Sequence, residues 1–173
     1  KFGQHIGNCP GESKPIPRCS MSDPQARPST AAVIVAAGQG LRAGQAVPKQ
    51  FAPWRGKPVV RHSAEALARA GVAPIIVAIP AGGESMARAS LEGIPGIRLV
   101  IGGATRQESV RKALEMLEPD MPGAVLIHDA ARPGLTQPVI ARMVAALADR
   151  PGAIPVQPVA DSLTEARGDL MGA

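Results

Sequence analysis

The sequence predicts an α/β domain with a largely parallel central sheet and helices on both of its faces. Three observations predict it. Short apolar runs alternate with segments of helical spacing, the pattern of βαβ units. Several runs are apolar throughout, as strands covered on both faces are. Glycine-rich or charged segments follow the runs, which puts polar chemistry at the carboxyl ends of the strands, where such sheets bind ligands.

In chain order, Ala31–Ala37 (AAVIVAA) reads as the first strand. Val60, Ala64, Leu67 and Ala68 then recur at helical spacing, and Gly71 ends that helix. Ile75–Ile79 (IIVAI) is the second strand, and residues 84–91 form a short helix. Ile97–Ile101 (IRLVI) is the third strand, followed by a helix marked by Val110, Ala113, Leu114 and Leu117. Ala124–Ile127 (AVLI) is the fourth; the first, second and fourth are the wholly apolar strands. Ile140, Met143, Val144 and Leu147 mark the last helix, with Pro138 near its start. Ala153–Val156 reads as a fifth strand, and Asp169–Ala173 as a loop.

The chain has 173 residues, a length for one domain. Residues 1–30 are rich in Gly, Pro, Ser and Lys and show no periodicity, so they read as a disordered leader. Within it Met21 reads as a natural start, with residues 1–20 upstream of the native protein. Residues 31–173 are then the domain, large enough to bury roughly 68–70% of its unfolded surface. The only cysteines, Cys9 and Cys19, lie in the leader. That removes disulfides and cysteine metal sites from the domain and fits a cytoplasmic setting. No run reaches the length of a membrane span, and the leader lacks the apolar core of a secretory signal. The net charge of +5 is scattered rather than clustered, and the aromatic residues are only Phe2, Phe51 and Trp54. Neither feature suits nucleic acid, which needs a basic stripe or stacking rings. A small polyanion fits better.

Three loops carry the chemistry. After the first strand come Gly38, Gly40 and Gly44, with Arg42 among them and Pro48-Lys49-Gln50 closing the loop. Glycines permit positive φ and close approach of a ligand to the backbone. Arg42 adds a planar cationic fork and Lys49 a compact charge, the set that a triphosphate undergoing transfer requires. The third glycine falls one residue late for a dinucleotide fingerprint, and the P-loop pattern is not met. After the third strand comes GGATRQES. Thr105 and Glu108 fit a capping box that needs no function, yet the glycine pair and Ser109 lie at the ligand edge, and the two roles are compatible. After the fourth strand comes HDAARP. His128 reads as a satisfied, partly buried imidazole. Asp129 reads as a ligand for a hydroxyl or a metal-bound water, and Arg132 as one for phosphate.

AAGQGLRAGQAVPKQF, GGATRQES and VLIHDAARP together resemble the 2-C-methyl-D-erythritol 4-phosphate cytidylyltransferase family, from about Ala31 to the end of the chain. The resemblance implies a three-layer, Rossmann-like nucleotidyltransferase domain, truncated at its C-terminus. It implies attack of the acceptor phosphate on the α-phosphorus of CTP, with Mg²⁺ bound mainly through the CTP phosphates. Arg42 and Lys49 match the catalytic cations. Ala36, Ala37, Gly38, Gly40, Gly103, Ser109 and Ala130 match nucleotide-binding positions. Asp129 and Arg132 match acceptor-side positions, and so does Ser162, where the family often has threonine, contributed across a homodimer. Ala104 stands where an acidic residue is common. The family continues past the equivalent of Ala173 with a dimerising arm, an acceptor-phosphate arginine and a late lysine. The 173-residue chain alone is therefore expected to dimerise poorly and turn over slowly. The residues leave other readings open: a ribitol 5-phosphate or other sugar-phosphate nucleotidyltransferase, a non-catalytic nucleotide-binding module, or a fusion to the next pathway enzyme.

Overall fold

The computed structural model describes residues 29–38 and 47–157, and the backbone of two short strands at 166–167 and 170–171. Residues 1–28, Gly40, Gly44, Arg42 and Ser162 lie outside the described residues.

In chain order the elements are β1 (Thr30–Val35), β2 (Pro53–Trp54), β3 (Lys57–Pro58), α1 (Val59–Arg69), β4 (Ile75–Ile79), α2 (Glu84–Leu91) and β5 (Ile97–Ile101). Then follow α3 (Arg106–Leu117), a 3-10 turn (Glu118–Asp120), β6 (Ala124–Asp129), α4 (Gln137–Asp149), β7 (Ala166–Arg167) and β8 (Leu170–Met171). Four strands form one sheet in the order β5-β4-β1-β6, and every pairing in it is parallel. The chain runs outward from β1 through β4 to β5, then returns to set β6 on the other side of β1. That reversal is the switch point of the sheet. There the last residue of β1, Val35, pairs with the last of β6, Asp129, so two of the three loops leave side by side.

Alternation along β1 divides the core. Ala32, Ile34 and Ala36 pack with Val60, Ala64 and Leu67 of α1, Ala87 and Leu91 of α2, and Ile140 of α4. Ala31 and Val33 point the other way, onto Ala113 and Leu117 of α3. The result is three layers, as expected. Ile75, Ile76 and Ile79 of β4 are fully buried, and each contributes about 1.5–3 kcal/mol of burial. Gly71 ends α1 at φ +74°, and Val72 N–H returns to Leu67 O at 3.1 Å. Among the described residues no helix is long and apolar enough to cross a membrane.

Three expectations are corrected among the described residues. There β6 is not covered on both faces: it is an edge of the described sheet, half-buried along its length, with Ile127 46% exposed. Apolarity alone does not separate an edge strand from a central one. Ala153–Val156 is not a strand, and Ile154 is 83% exposed. Pro155, inside the run, has no N–H to give a ladder. Leu170–Met171, read as loop, pairs antiparallel with Ala166–Arg167; the intervening Gly168-Asp169 is a dipeptide that suits a hairpin.

Candidate active site

The exit of β1 is held from below. Pro48–Phe51 is a turn closed by Phe51 N–H to Pro48 O at 2.9 Å. It leaves Lys49 exposed and turns Gln50 inward, 6% exposed. Gln50 Nε2 donates to Ala36 O at 2.6 Å and to Gly38 O at 2.7 Å. The Gln50 backbone carbonyl accepts Val60 N–H at 2.8 Å, at the start of α1. One buried residue thus ties the glycine loop to a helix, its side-chain amide holding two loop carbonyls toward the protein and its main chain bonding to α1. Sequence reasoning missed this role. The available signal was an uncharged double donor, next to an exposed lysine, facing a loop whose carbonyls need partners.

Gly38 does not use the left-handed backbone expected of it. A Cβ there would meet nothing within 4 Å among the described residues. Gly102 is the opposite case. A Cβ on it would lie 2.3 Å from Ala37 Cβ and 2.7 Å from Ser109 Oγ. The exits of β1 and β5 touch there.

Beyond Gly102, Ser109 is buried. Its Oγ accepts Gly103 N–H at 3.0 Å and donates to Thr105 O at 2.9 Å. Thr105 Oγ1 accepts Glu108 N–H at 3.1 Å, and Glu108 Oε2 accepts Ala104 N–H at 2.9 Å. This is the expected capping box with the return bond moved one residue back. The Ala104 N–H, and then Lys112, hold the Glu108 carboxyl below its ordinary range.

These two loops enclose a cavity of about 270 Å³, bounded by Val35, Ala37 and Gly38 on one side and by Gly103–Arg106 and Ser109 on the other. Ala37, Gly38, Gly103 and Ser109 are thereby brought together. Ala36 and Ala130 do not line it, because sheet pairing runs one residue past each strand. Ala36 N–H donates to Ala78 O and Ala130 N–H to Val35 O, and both side chains lie in the core. A larger cavity of about 430 Å³ lies between β6, α4 and residues 151–155. Its walls are mostly aliphatic, a poor match for an anion.

At the exit of β6, Arg106 Nε and Nη2 lie 3.0 and 2.9 Å from Asp129 Oδ1, and Arg132 Nε lies 3.5 Å from Oδ2. Asp129 and Arg132 therefore adjoin the cavity through Arg106, which forms part of its wall. Among the described residues no group of three or more His, Cys, Asp or Glu could hold a metal.

His128 has the structural role expected of it. Its Nε2 donates to Arg132 O at 3.0 Å, with Ser63 Oγ 3.0 Å from the same nitrogen. Burial lowers its pKa; the Arg132 carbonyl and Asp129 act against that, and the Arg132 charge adds to it. A histidine whose folded pKa is depressed contributes stability that is complete above its unfolded pKa, about 6.5, and is lost as pH falls through the folded value. The melting temperature should therefore fall between pH 7 and pH 5, and His128→Gln should flatten that slope. An unchanged slope in the variant would refute the assignment.

The family model of 2-C-methyl-D-erythritol 4-phosphate cytidylyltransferase (IspD) matches residues 30–172. The bifunctional enzyme IspD/IspF of Novosphingobium aromaticivorans is 62% identical over 83% of this chain and 37% of its own. The 2-C-methyl-D-erythritol 4-phosphate cytidylyltransferase of Cereibacter sphaeroides is 46% identical over 81% of this chain and 63% of its own. The crystal structure of the Thermus thermophilus protein of that name is 32% identical, covers 82% of this chain and 60% of its own, and superposes with a TM-score of 0.61. The chain thus spans less than two thirds of the length of these relatives. With the model match, this identity and the shared fold, the chain belongs to the 2-C-methyl-D-erythritol 4-phosphate cytidylyltransferase family.

Proposed function

We propose that the full-length protein transfers CMP from CTP to 2-C-methyl-D-erythritol 4-phosphate. An oxygen of the acceptor's phosphate bonds to the α-phosphorus of CTP, the bond from that phosphorus to the β-phosphate bridge breaks, and pyrophosphate leaves. The observation that carries this reading is the cavity between the β1 and β5 exits, with Asp129 and Arg132 beside it. Ala37, Gly38, Gly103 and Ser109 surround the nucleotide. Arg42 and Lys49 offset the charge that builds on the α-phosphoryl oxygens, which is where fixed cations accelerate such a transfer most. Asp129 and Arg132 meet the acceptor, with Ser162 reaching in from the second subunit of a homodimer.

Mg²⁺ would be held mainly by the CTP phosphates, which suits a cation that keeps several waters and few protein ligands, and it would neutralise phosphate charge there. Asp129 meets the cavity wall through Arg106, and two arginines already occupy its carboxylate. The protein acts in the cytoplasm, on small molecules rather than on nucleic acid or membrane. The bifunctional name of one relative supports a second enzyme fused downstream; sequencing the gene to its stop codon decides that point.

The test is pyrophosphate release by the full-length protein with Mg²⁺, methylerythritol phosphate and each nucleoside triphosphate. Release with CTP alone, abolished by Arg42→Ala, is expected. Release only with ribitol phosphate or a sugar phosphate would overturn the acceptor, and silence with every acceptor would overturn catalysis. Gly38→Ala supplies a second check. The melting temperature should hold or rise slightly, since the backbone there suits alanine. CTP affinity should fall roughly tenfold, as for a methyl group set against a bound ligand. Unchanged CTP affinity would place the nucleotide elsewhere.

A further inference from the structure

Arg106 is the first residue of α3, directly after the N-cap Thr105. A helix N-terminus carries partial positive charge, so a cation is disfavoured there and an acid such as Glu108 is preferred. The Arg106 side chain is 60% exposed, so it does not fill the core. An ion pair this exposed adds little to stability. Neither local helix preference nor packing accounts for an arginine at this position.

What the side chain does is join loops from opposite edges of the sheet. It starts at the β5 exit and ends on Asp129 at the β6 exit, and it shares a cavity with Val35, Ala37 and Gly38 at the exit of β1 between them. Its Nε and Nη2 both meet Oδ1 of Asp129, while Arg132 stands off Oδ2 at 3.5 Å. One carboxylate faces two guanidinium groups, which leaves a surplus positive charge at the β6 exit. The neutral His128 does not alter that count, and Lys112 is paired with Glu108.

We propose that Arg106 is a positioning residue for the acceptor half of the site. It holds Asp129 by Oδ1, fixes the direction of Oδ2, and keeps Arg132 from closing onto the carboxylate, so that Arg132 remains available to an acceptor phosphate. This rests on the reading under Proposed function. Without Arg106, Asp129 and Arg132 form a close charge-assisted pair, and the acceptor loses one of its cations.

The test measures kcat, both KM values and melting temperature for the full-length protein. The variants are Arg106→Gln, Arg106→Lys, Asp129→Asn and the double variant Arg106→Gln/Asp129→Asn. Arg106→Gln should raise the KM for methylerythritol phosphate by about tenfold, within the coupling range of contacting residues. The KM for CTP should rise less than that for the acceptor, because Arg106 also walls the nucleotide cavity, and the melting temperature should stay where it is. Arg106→Lys should recover part of the loss, because an ammonium reaches Oδ1 without the paired N–H geometry. In the Asp129→Asn background, Arg106→Gln should add no further loss. An unchanged acceptor KM, a rise confined to the CTP KM, or additive losses in the double variant would overturn the proposal while wild-type turnover upheld the reaction. A wild type that releases no pyrophosphate from CTP with this acceptor would overturn the functional reading, and this proposal with it.

Discussion

Gln50→Glu is expected to lose on the order of 3 kcal/mol of stability near neutral pH and to recover part of it on acidification. The substitution changes no volume and replaces one NH₂ group by oxygen. In the native protein that NH₂ spends one hydrogen on Ala36 O and the other on Gly38 O, 2.6 and 2.7 Å away. A carboxylate there brings a third oxygen against two carbonyls and has no hydrogen to give either. Protonation restores one donor, so the fold favours the acid form and raises the pKa above the unfolded value of about 4.3. The sign follows. The penalty is full above the folded pKa and shrinks as pH falls toward the unfolded one. Gln50→Leu separates charge from lost bonding, since it removes both donors without adding a titrating group. It should lose about 1–3 kcal/mol, independent of pH relative to wild type. Denaturant midpoints of the three proteins at two pH values check this, and the comparison with wild type cancels the His128 contribution. A Gln50→Glu protein as stable as wild type near neutral pH would show that the side chain does not face those carbonyls in solution. Both variants should also weaken CTP binding, because the glycine loop is no longer pinned to α1.

The sequence made the centre of this fold legible and its margins less so. Ala31–Val35 and Ile75–Ile79 lie between two helical layers, so every side chain is apolar and the run declares itself. The helices declared themselves by spacing, and Gly71 and Pro138 by their backbone chemistry. Ala124–Ile127 carries the same apolar signal although β6 is an edge of the described sheet, because strand order depends on contacts far apart in the chain. Pro155 was a local warning against a strand, and the apolar residues around it outweighed it in the reading. The site was legible as a set of loops rather than as contacts. Gly38, read as a place for close approach, has no positive φ and has open space beside it among the described residues. Gln50 and Arg106 went unassigned because their partners lie 12 to 14 and 23 residues away. Thr105 and Glu108 were legible as a cap, and Ser109, read at the ligand edge, lines the cavity, because one short loop folds on its own bonds and also walls the cavity.

Gly102→Ala tests the contact that gives that cavity its shape. The added methyl would sit 2.3 Å from Ala37 Cβ. That atom is fixed to the backbone at the end of β1 and has no rotamer by which to move away. Ser109 Oγ, at 2.7 Å, holds Gly103 N–H and Thr105 O and cannot leave without releasing both. The exits of β1 and β5 must therefore separate, at about 1–3 kcal/mol, with loss of CTP binding. Gly103→Ala is a useful contrast. Its methyl would meet the Glu108 side chain at 2.2 Å, and that flexible chain can swing aside by giving up its bond to Ala104. A smaller stability loss is expected. The stronger check moves the methyl across the contact rather than adding one. Ala37→Gly/Gly102→Ala keeps the pair at one Cβ, so it should regain most of the stability lost by Gly102→Ala, less about 0.5–1 kcal/mol for the new glycine. Thermal melts and CTP titrations of the two single variants and the double variant close the cycle. Additive losses would mean that Ala37 and Gly102 do not touch. Recovery of both stability and CTP affinity would mean that the nucleotide site is set by the distance between two backbones, which explains why the β5 exit needs a glycine where no positive φ requires one.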